Sequence, residues 1–96
     1  MRLDISERKA LKYALEGFEG EVFLFGSRTD DSKNGGDIDI LLLPKEKTNP
    51  LKLSLQIQKK FFLKCEEDID VVIYDAEKPF CRYVLSNAKR LDIARI

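Results

Sequence analysis

Apolar residues recur along the chain with two different periods, and the places where one period gives way to the other mark the predicted elements. Ala10, Leu11, Ala14 and Leu15 fall at i, i+1, i+4 and i+5, with Arg8, Lys9 and Lys12 on the polar side, which is the stripe of an amphipathic helix. Ser6 stands where a cap belongs and Gly17 and Gly20 follow, so the spacing predicts a first helix over about residues 6–17. Glu21-Val22-Phe23-Leu24-Phe25 is a short β-rich run ending at Gly26-Ser27 and reads as a central strand. From Arg28 to Gly36 the chain is polar and closes on Gly35-Gly36, a loop or short capped helix leading into a turn. Asp37-Ile38-Asp39-Ile40-Leu41-Leu42-Leu43 is a second strand, stopped by Pro44 and Lys45-Glu46-Lys47. With Thr48 or Asn49 as cap, Leu51, Leu53, Leu55, Ile57, Phe61, Phe62 and Cys65 predict a helix to about Lys64. Asp68-Ile69-Asp70-Val71-Val72-Ile73-Tyr74 is a third strand, and Pro79 opens a last helix to about Lys89. Arg90 to Ile96 reads as a tail or a short extra strand.

Strands separated by helices argue for an α/β (α+β) sandwich, a small sheet with helices packed on it. Ninety-six residues, 44% of them hydrophobic, support one modest core, so residues 1–96 are expected to form a single domain. A site needing a second wall would borrow it from another chain or from a second copy of this one. Lys plus Arg and Asp plus Glu are equal at 17 each, so no global field draws the chain to a polyanion and nucleic acid is not indicated. The charged N-terminus lacks the apolar run of a signal peptide, and no stretch approaches the roughly 20 apolar residues of a membrane span. A cytoplasmic location without membrane contact is the expectation. Cys65 and Cys81 lack further thiols at metal-site spacing and read as buried or half-buried small hydrophobes. With no histidine in the chain, Ser-His-Asp and Cys-His catalysis and the HExxH zinc site are excluded. Chemistry must rest on carboxylates, Lys, Arg, hydroxyls or a metal.

Aspartate is uncommon inside strands because a short carboxylate is costly to bury unpaired, yet two apolar strands here both begin Asp-Ile-Asp. Strand alternation points Asp37 and Asp39 to one face and Ile38 and Ile40 to the other. Their Cα atoms then lie about 7 Å apart, a gap a hydrated divalent cation can bridge. Mg²⁺ takes hard oxygen ligands and is completed by one or two carboxylates plus a triphosphate. Asp70 supplies a third carboxylate for a two-metal arrangement and can also accept a proton from an acceptor. The bland readings are a strand-entry Asp for Asp37, a structural ion pair for Asp70 and a solvated charge for Asp68. Gly26-Ser27 opens a turn whose free N–H groups suit an anion, although Ser27 reads equally as a helix cap. Arg28 is a phosphate contact or a surface residue, and Lys33 a solvated one.

Leu24-Phe25-Gly26-Ser27-Arg28, nine residues between Ser27 and Asp37, and then Asp37-Ile38-Asp39-Ile40-Leu41 resemble the Gly-Ser…Asp-x-Asp signature of the DNA polymerase β-like nucleotidyltransferase superfamily. Asp70-Val71-Val72 resembles its third-carboxylate strand. The chain looks like the stand-alone minimal nucleotidyltransferases (MNT) that act as antitoxins beside small helical HEPN proteins. That resemblance implies a two-layer polymerase β-like fold with a mixed sheet. It implies catalytic and metal-binding roles for Asp37, Asp39 and Asp70, with two Mg²⁺ ions and ATP as substrate. Gly26, Ser27 and Arg28 would then hold the triphosphate. The implied activity is transfer of a nucleoside monophosphate, AMP above all, to a hydroxyl of a HEPN-type partner, specifically a tyrosine. The alternative is an inactive nucleotide-binding antitoxin or regulatory subunit that works by protein contact, and a homo-oligomer is compatible with either. One departure is visible: Thr29-Asp30-Asp31 stands where many such domains carry a small residue and then Ala-Arg-Gly.

Overall fold

Asp4, not Ser6, starts the first helix. Its Oδ1 accepts from the Glu7 backbone N–H at 2.8 Å, and Glu7 Oε1 accepts from the Asp4 N–H at 3.0 Å. Two otherwise orphaned donors are satisfied reciprocally, which places α1 at Ile5–Ala14. The helix stops before Gly17, whose φ of +82° suits a residue without a side chain.

The structure, a computed structural model, describes residues 3–29 and 37–96. Asp30, Asp31, Lys33 and the predicted Gly35-Gly36 turn lie outside the described residues, as does the side chain of Ser27. After α1 come β1 (Gly20–Phe25), a 3-10 turn (Gly26–Thr29), β2 (Ile38–Pro44), α2 (Pro50–Cys65), β3 (Ile69–Ile73), α3 (Pro79–Asn87), β4 (Lys89–Leu91) and a second 3-10 turn (Ile93–Arg95). The cap of α2 is Asn49, whose Oδ1 accepts from Lys52 N at 3.1 Å, with Pro50 in the first turn. The last helix ends at Asn87, because the chain turns extended at Ala88 and pairs as β4.

The described strands form one mixed sheet in the order β3-β2-β1-β4, so β1 is interior as its apolar run predicts. β1 is antiparallel to β2 and β4, while β2 and β3 are parallel. A parallel pair needs a crossover, and α2 supplies it. Leu24, Ile38, Ile40, Leu42 and Ile69 from one face of the sheet meet Ala10, Leu11 and Ala14 of α1 and Ile57 and Phe61 of α2 in the main core. Leu41 is also buried, but outside that cluster, as are Cys81 and Val84 of α3. Alternation turns Leu41 to the opposite face from Ile40 and Leu42. The architecture is the small mixed α/β sandwich expected, with Cys81 buried and Cys65 half-buried.

Candidate active site

Because β2 and β3 are parallel and in register, Asp39 lies directly beside Asp70, as Ile38 lies beside Ile69. The antiparallel partner on the other side places Phe25, the last residue of β1, beside Asp39. One end of the sheet therefore gathers the start of β2, the start of β3 and the turn that leaves β1. Ile38, Ile40 and Ile69 point into the core from these strands, which leaves Asp39 and Asp70 on the other face.

Asp37 and Asp70 are exposed and Asp39 is half-buried between them. Burial pushes the Asp39 carboxyl up to about 6, and a hydrogen bond to Asp70 and the negative charges of Asp70 and Asp37 push it the same way. The described ion pairs are Arg28–Glu7 and Arg95–Asp92, so Asp70 takes part in neither, and its near neighbour is another carboxyl. As they stand, the described residues contain no group of three or more His, Cys, Asp or Glu side chains arranged to hold a metal ion. Asp39 and Asp70 form a close pair to which Asp37 adds its charge.

Gly26 begins the 3-10 turn with φ +78°, a conformation that disfavours a side chain. A Cβ there would run into Asp39, meeting Oδ2 and lying 3.3 Å from Cγ. The glycine thus lets the main chain of the turn lie directly on the half-buried carboxylate. Arg28, two residues on, reaches neither solvent alone nor only an anion: its guanidinium donates to Glu7 Oε1 at 2.8 Å and Oε2 at 2.7 Å. Glu7 is 2% exposed. Burial raises the Glu7 pKa, but hydrogen bonds from Arg28 and the Asp4 backbone outweigh it and hold the group below its usual value. Glu7, Arg28, Asp37, Ile38, Glu67 and Asp68 line a pocket of about 190 Å³ at this end of the molecule. A wider pocket of about 460 Å³, with Lys45, Thr48, Ile73, Tyr74 and Lys78 in its wall, lies at the far end of β2 and β3, away from the aspartates.

The pattern of polar positions does not single out Glu7, because a glutamate in the first turn of a helix is ordinarily a solvated charge. The Asp4-x-x-Glu7 spacing is the signal that finds it, since a capping box draws its fourth residue back toward the chain. Nothing in the sequence points from Glu7 to Arg28, 21 residues away.

No curated protein matches the chain. Among solved structures, a chain of the complex of the tri-AMPylated Shewanella oneidensis HEPN toxin with MNT antitoxin is similar at 22% identity, with a TM-score of 0.56 over 85% of this chain and 62% of that one. A chain of a double Asp-to-Glu mutant of the toxin–antitoxin MntA-HpeT is similar at 20% identity, with a TM-score of 0.60 over 85% of this chain and 66% of that one. The present chain thus spans less than two thirds of either, and at these identities the likeness is one of fold. The family model for polymerase beta nucleotidyltransferases matches residues 20–92, which takes in all four strands, the Gly26 turn and the aspartate cluster. This chain belongs to the polymerase beta nucleotidyltransferase family.

Proposed function

We propose that Asp37, Asp39 and Asp70 hold two Mg²⁺ ions against the triphosphate of ATP, and that the chain transfers AMP to a hydroxyl of a helical, HEPN-type partner protein as its antitoxin. The observation that carries this reading is the register that sets Asp39 beside Asp70, in a chain of a nucleotidyltransferase family. The donor set suits the metal: all ligands are carboxylate oxygens, and burial, with a hydrogen bond to Asp70 and the charges of Asp70 and Asp37 added to it, already pushes Asp39 up to about 6. A cation between such groups relieves their repulsion. When bound, the metal would neutralise charge on the triphosphate and favour ionisation of the attacking hydroxyl.

The chain's own residues do the rest by position. Asp37 and Asp39 would hold the metal ions to which the triphosphate binds, and the N–H groups of the Gly26-Ser27 turn face its charge, with Ser27 and Arg28 on the same turn. Asp70, on the exposed edge of the cluster, accepts the acceptor's proton. The acceptor oxygen forms its bond to the α-phosphorus, the bond from that phosphorus to the bridging oxygen breaks, and pyrophosphate leaves in line. A tyrosine of the partner is the acceptor in this reading, supported by the likeness in fold to a chain from a complex whose toxin carries AMP.

The test is transfer of label from alpha-phosphate-labelled ATP to a co-expressed partner in Mg²⁺, comparing wild type with Asp37→Ala/Asp39→Ala. Label only with wild type is the expected result. If none of the four nucleoside triphosphates yields label while the protein still binds and silences its partner, the transferase reading falls and the chain acts by contact.

A further inference from the structure

α2 carries Lys52, Lys59, Lys60 and Lys64 and no acidic residue, within a chain of zero formal net charge. Ile57 and Phe61 turn one side of this helix into the core. On another side, Leu51, Leu55 and Phe62 stand 68%, 55% and 50% exposed. With 3.6 residues per turn, Leu51, Leu55, Gln58 and Phe62 fall within a band of about 60°, and their 4-3-4 spacing is that of a coiled-coil seam. Lys52 and Lys59 each follow a seam residue and flank it on the solvent side. Gln58, the polar member, donates through Nε2 to the Ile69 carbonyl at 3.0 Å. The seam therefore runs beside β3, one of the two edge strands of the described sheet.

We propose that this seam docks an acidic amphipathic helix of a partner protein, with apolar residues at matching spacing and carboxylates opposite Lys52 and Lys59. The inference rests on the reading above only for the existence of a protein partner, and owes nothing to the transfer chemistry. Charge at the positions flanking a helical seam selects the partner, and here that charge has one sign. A second copy packed antiparallel through the same seam would set Lys52 and Lys59 against their counterparts, like against like. A lipid surface calls for a broad apolar face, whereas this stripe is narrow and the charge of Lys59 stands beside it, one turn before Leu63, the next exposed apolar residue of α2.

The experiment uses two synthetic helices with the same leucine seam, one with Glu and one with Lys at the flanking positions, titrated into the full chain by fluorescence anisotropy. The Glu helix should bind at least about tenfold more tightly, with the gap narrowing as salt rises. Lys52→Glu/Lys59→Glu should reverse the preference, and Leu55→Ser/Phe62→Ser should weaken both helices, with circular dichroism reporting that the fold is kept. Equal affinity, binding of neither helix, or an unchanged preference in the charge-reversed variant overturns the proposal. So does sedimentation of the wild-type chain as a dimer that Leu55→Ser/Phe62→Ser dissolves, or binding to phosphatidylserine vesicles in place of the Glu helix. Mg²⁺-ATP binding, measured on the same samples, keeps the two readings apart: its absence in wild type counts against the aspartate site and leaves the seam result standing.

Discussion

Asp39 is the residue at which stability and proposed function oppose each other. Its carboxyl binds a proton more tightly in the folded protein, at about 6, than its ordinary value of 3.8. The stability it contributes is therefore fully present below pH of about 3.8 and is lost as pH rises through about 6. Asp39→Asn cannot ionise, so in EDTA it should melt above wild type at pH 7.5 and close to wild type at pH 4. A variant that melts below wild type at both pH values would show that the carboxyl is held by favourable contacts and not by repulsion. Asp39→Asn should at the same time lose Mg²⁺-dependent transfer, the expected trade where a site stores unfavourable charge. Gly26 poses a second test at this scale. Gly26→Ala puts a methyl group onto Asp39 and adds the strain of a positive φ, so it should lower stability by about 1–2 kcal/mol. It should also abolish transfer, both read against a melt of the same preparation; full activity would mean that the turn does not need to lie on the carboxylate.

At the scale of elements, the Glu7–Arg28 pair ties the first turn of α1 to the 3-10 turn after β1. Removing Glu7 takes from Arg28 a forked pair of hydrogen bonds and from the Asp4 N–H its acceptor, whereas replacing both members of the pair by apolar groups need not cost stability. Glu7→Ala should therefore destabilise by about 1–3 kcal/mol, and Glu7→Leu/Arg28→Met should recover part of that loss in urea unfolding. Because the Glu7 pKa is lowered from 4.5, its contribution is present above pH 4.5 and fades as pH falls through the folded value. The double variant should accordingly lose less stability than wild type on acidification. Equal urea midpoints for Glu7→Ala and wild type would mean that the pair is a bystander. Element reading from the sequence went furthest where one helix or strand carries a strong period. The strand expected over 37–43 runs over 38–44, and of the two caps the sequence offers for α2 the structure uses Asn49; both are local matters of alternation and side-chain reach. β4 is different: three residues, Lys89-Arg90-Leu91, two of them charged, offer no period, and only pairing with β1 makes them a strand. Asp4 prevails over Ser6 as the cap because Asp4 and Glu7 satisfy each other's backbone donors, a capping box whose spacing the sequence itself carries.

At the scale of the whole molecule, the aspartates sit at an open end of the sheet, with Asp37 and Asp70 exposed. An open site gains from whatever fills it. Mg²⁺-ATP at a hundred times its dissociation constant should raise unfolding stability by about 2.7 kcal/mol, and Asp37→Ala/Asp39→Ala should show no such gain in the same thermal scan. Stabilisation of both proteins alike would place the nucleotide elsewhere, the wider pocket at the other end of β2 and β3 being the obvious alternative. The chain by itself determined the order of the main helices and strands, the interior place of β1 and the turning of Asp39 away from the face that Ile38 and Ile40 give to the core, because periodicity and alternation are properties of neighbouring residues. What only the tertiary structure decided was the parallel register that sets Asp70 beside Asp39, the approach of Gly26 to that carboxylate and the capture of Arg28 by Glu7. Each of these joins segments far apart in sequence, and such contacts are selected by the packing of the common core rather than by any local preference.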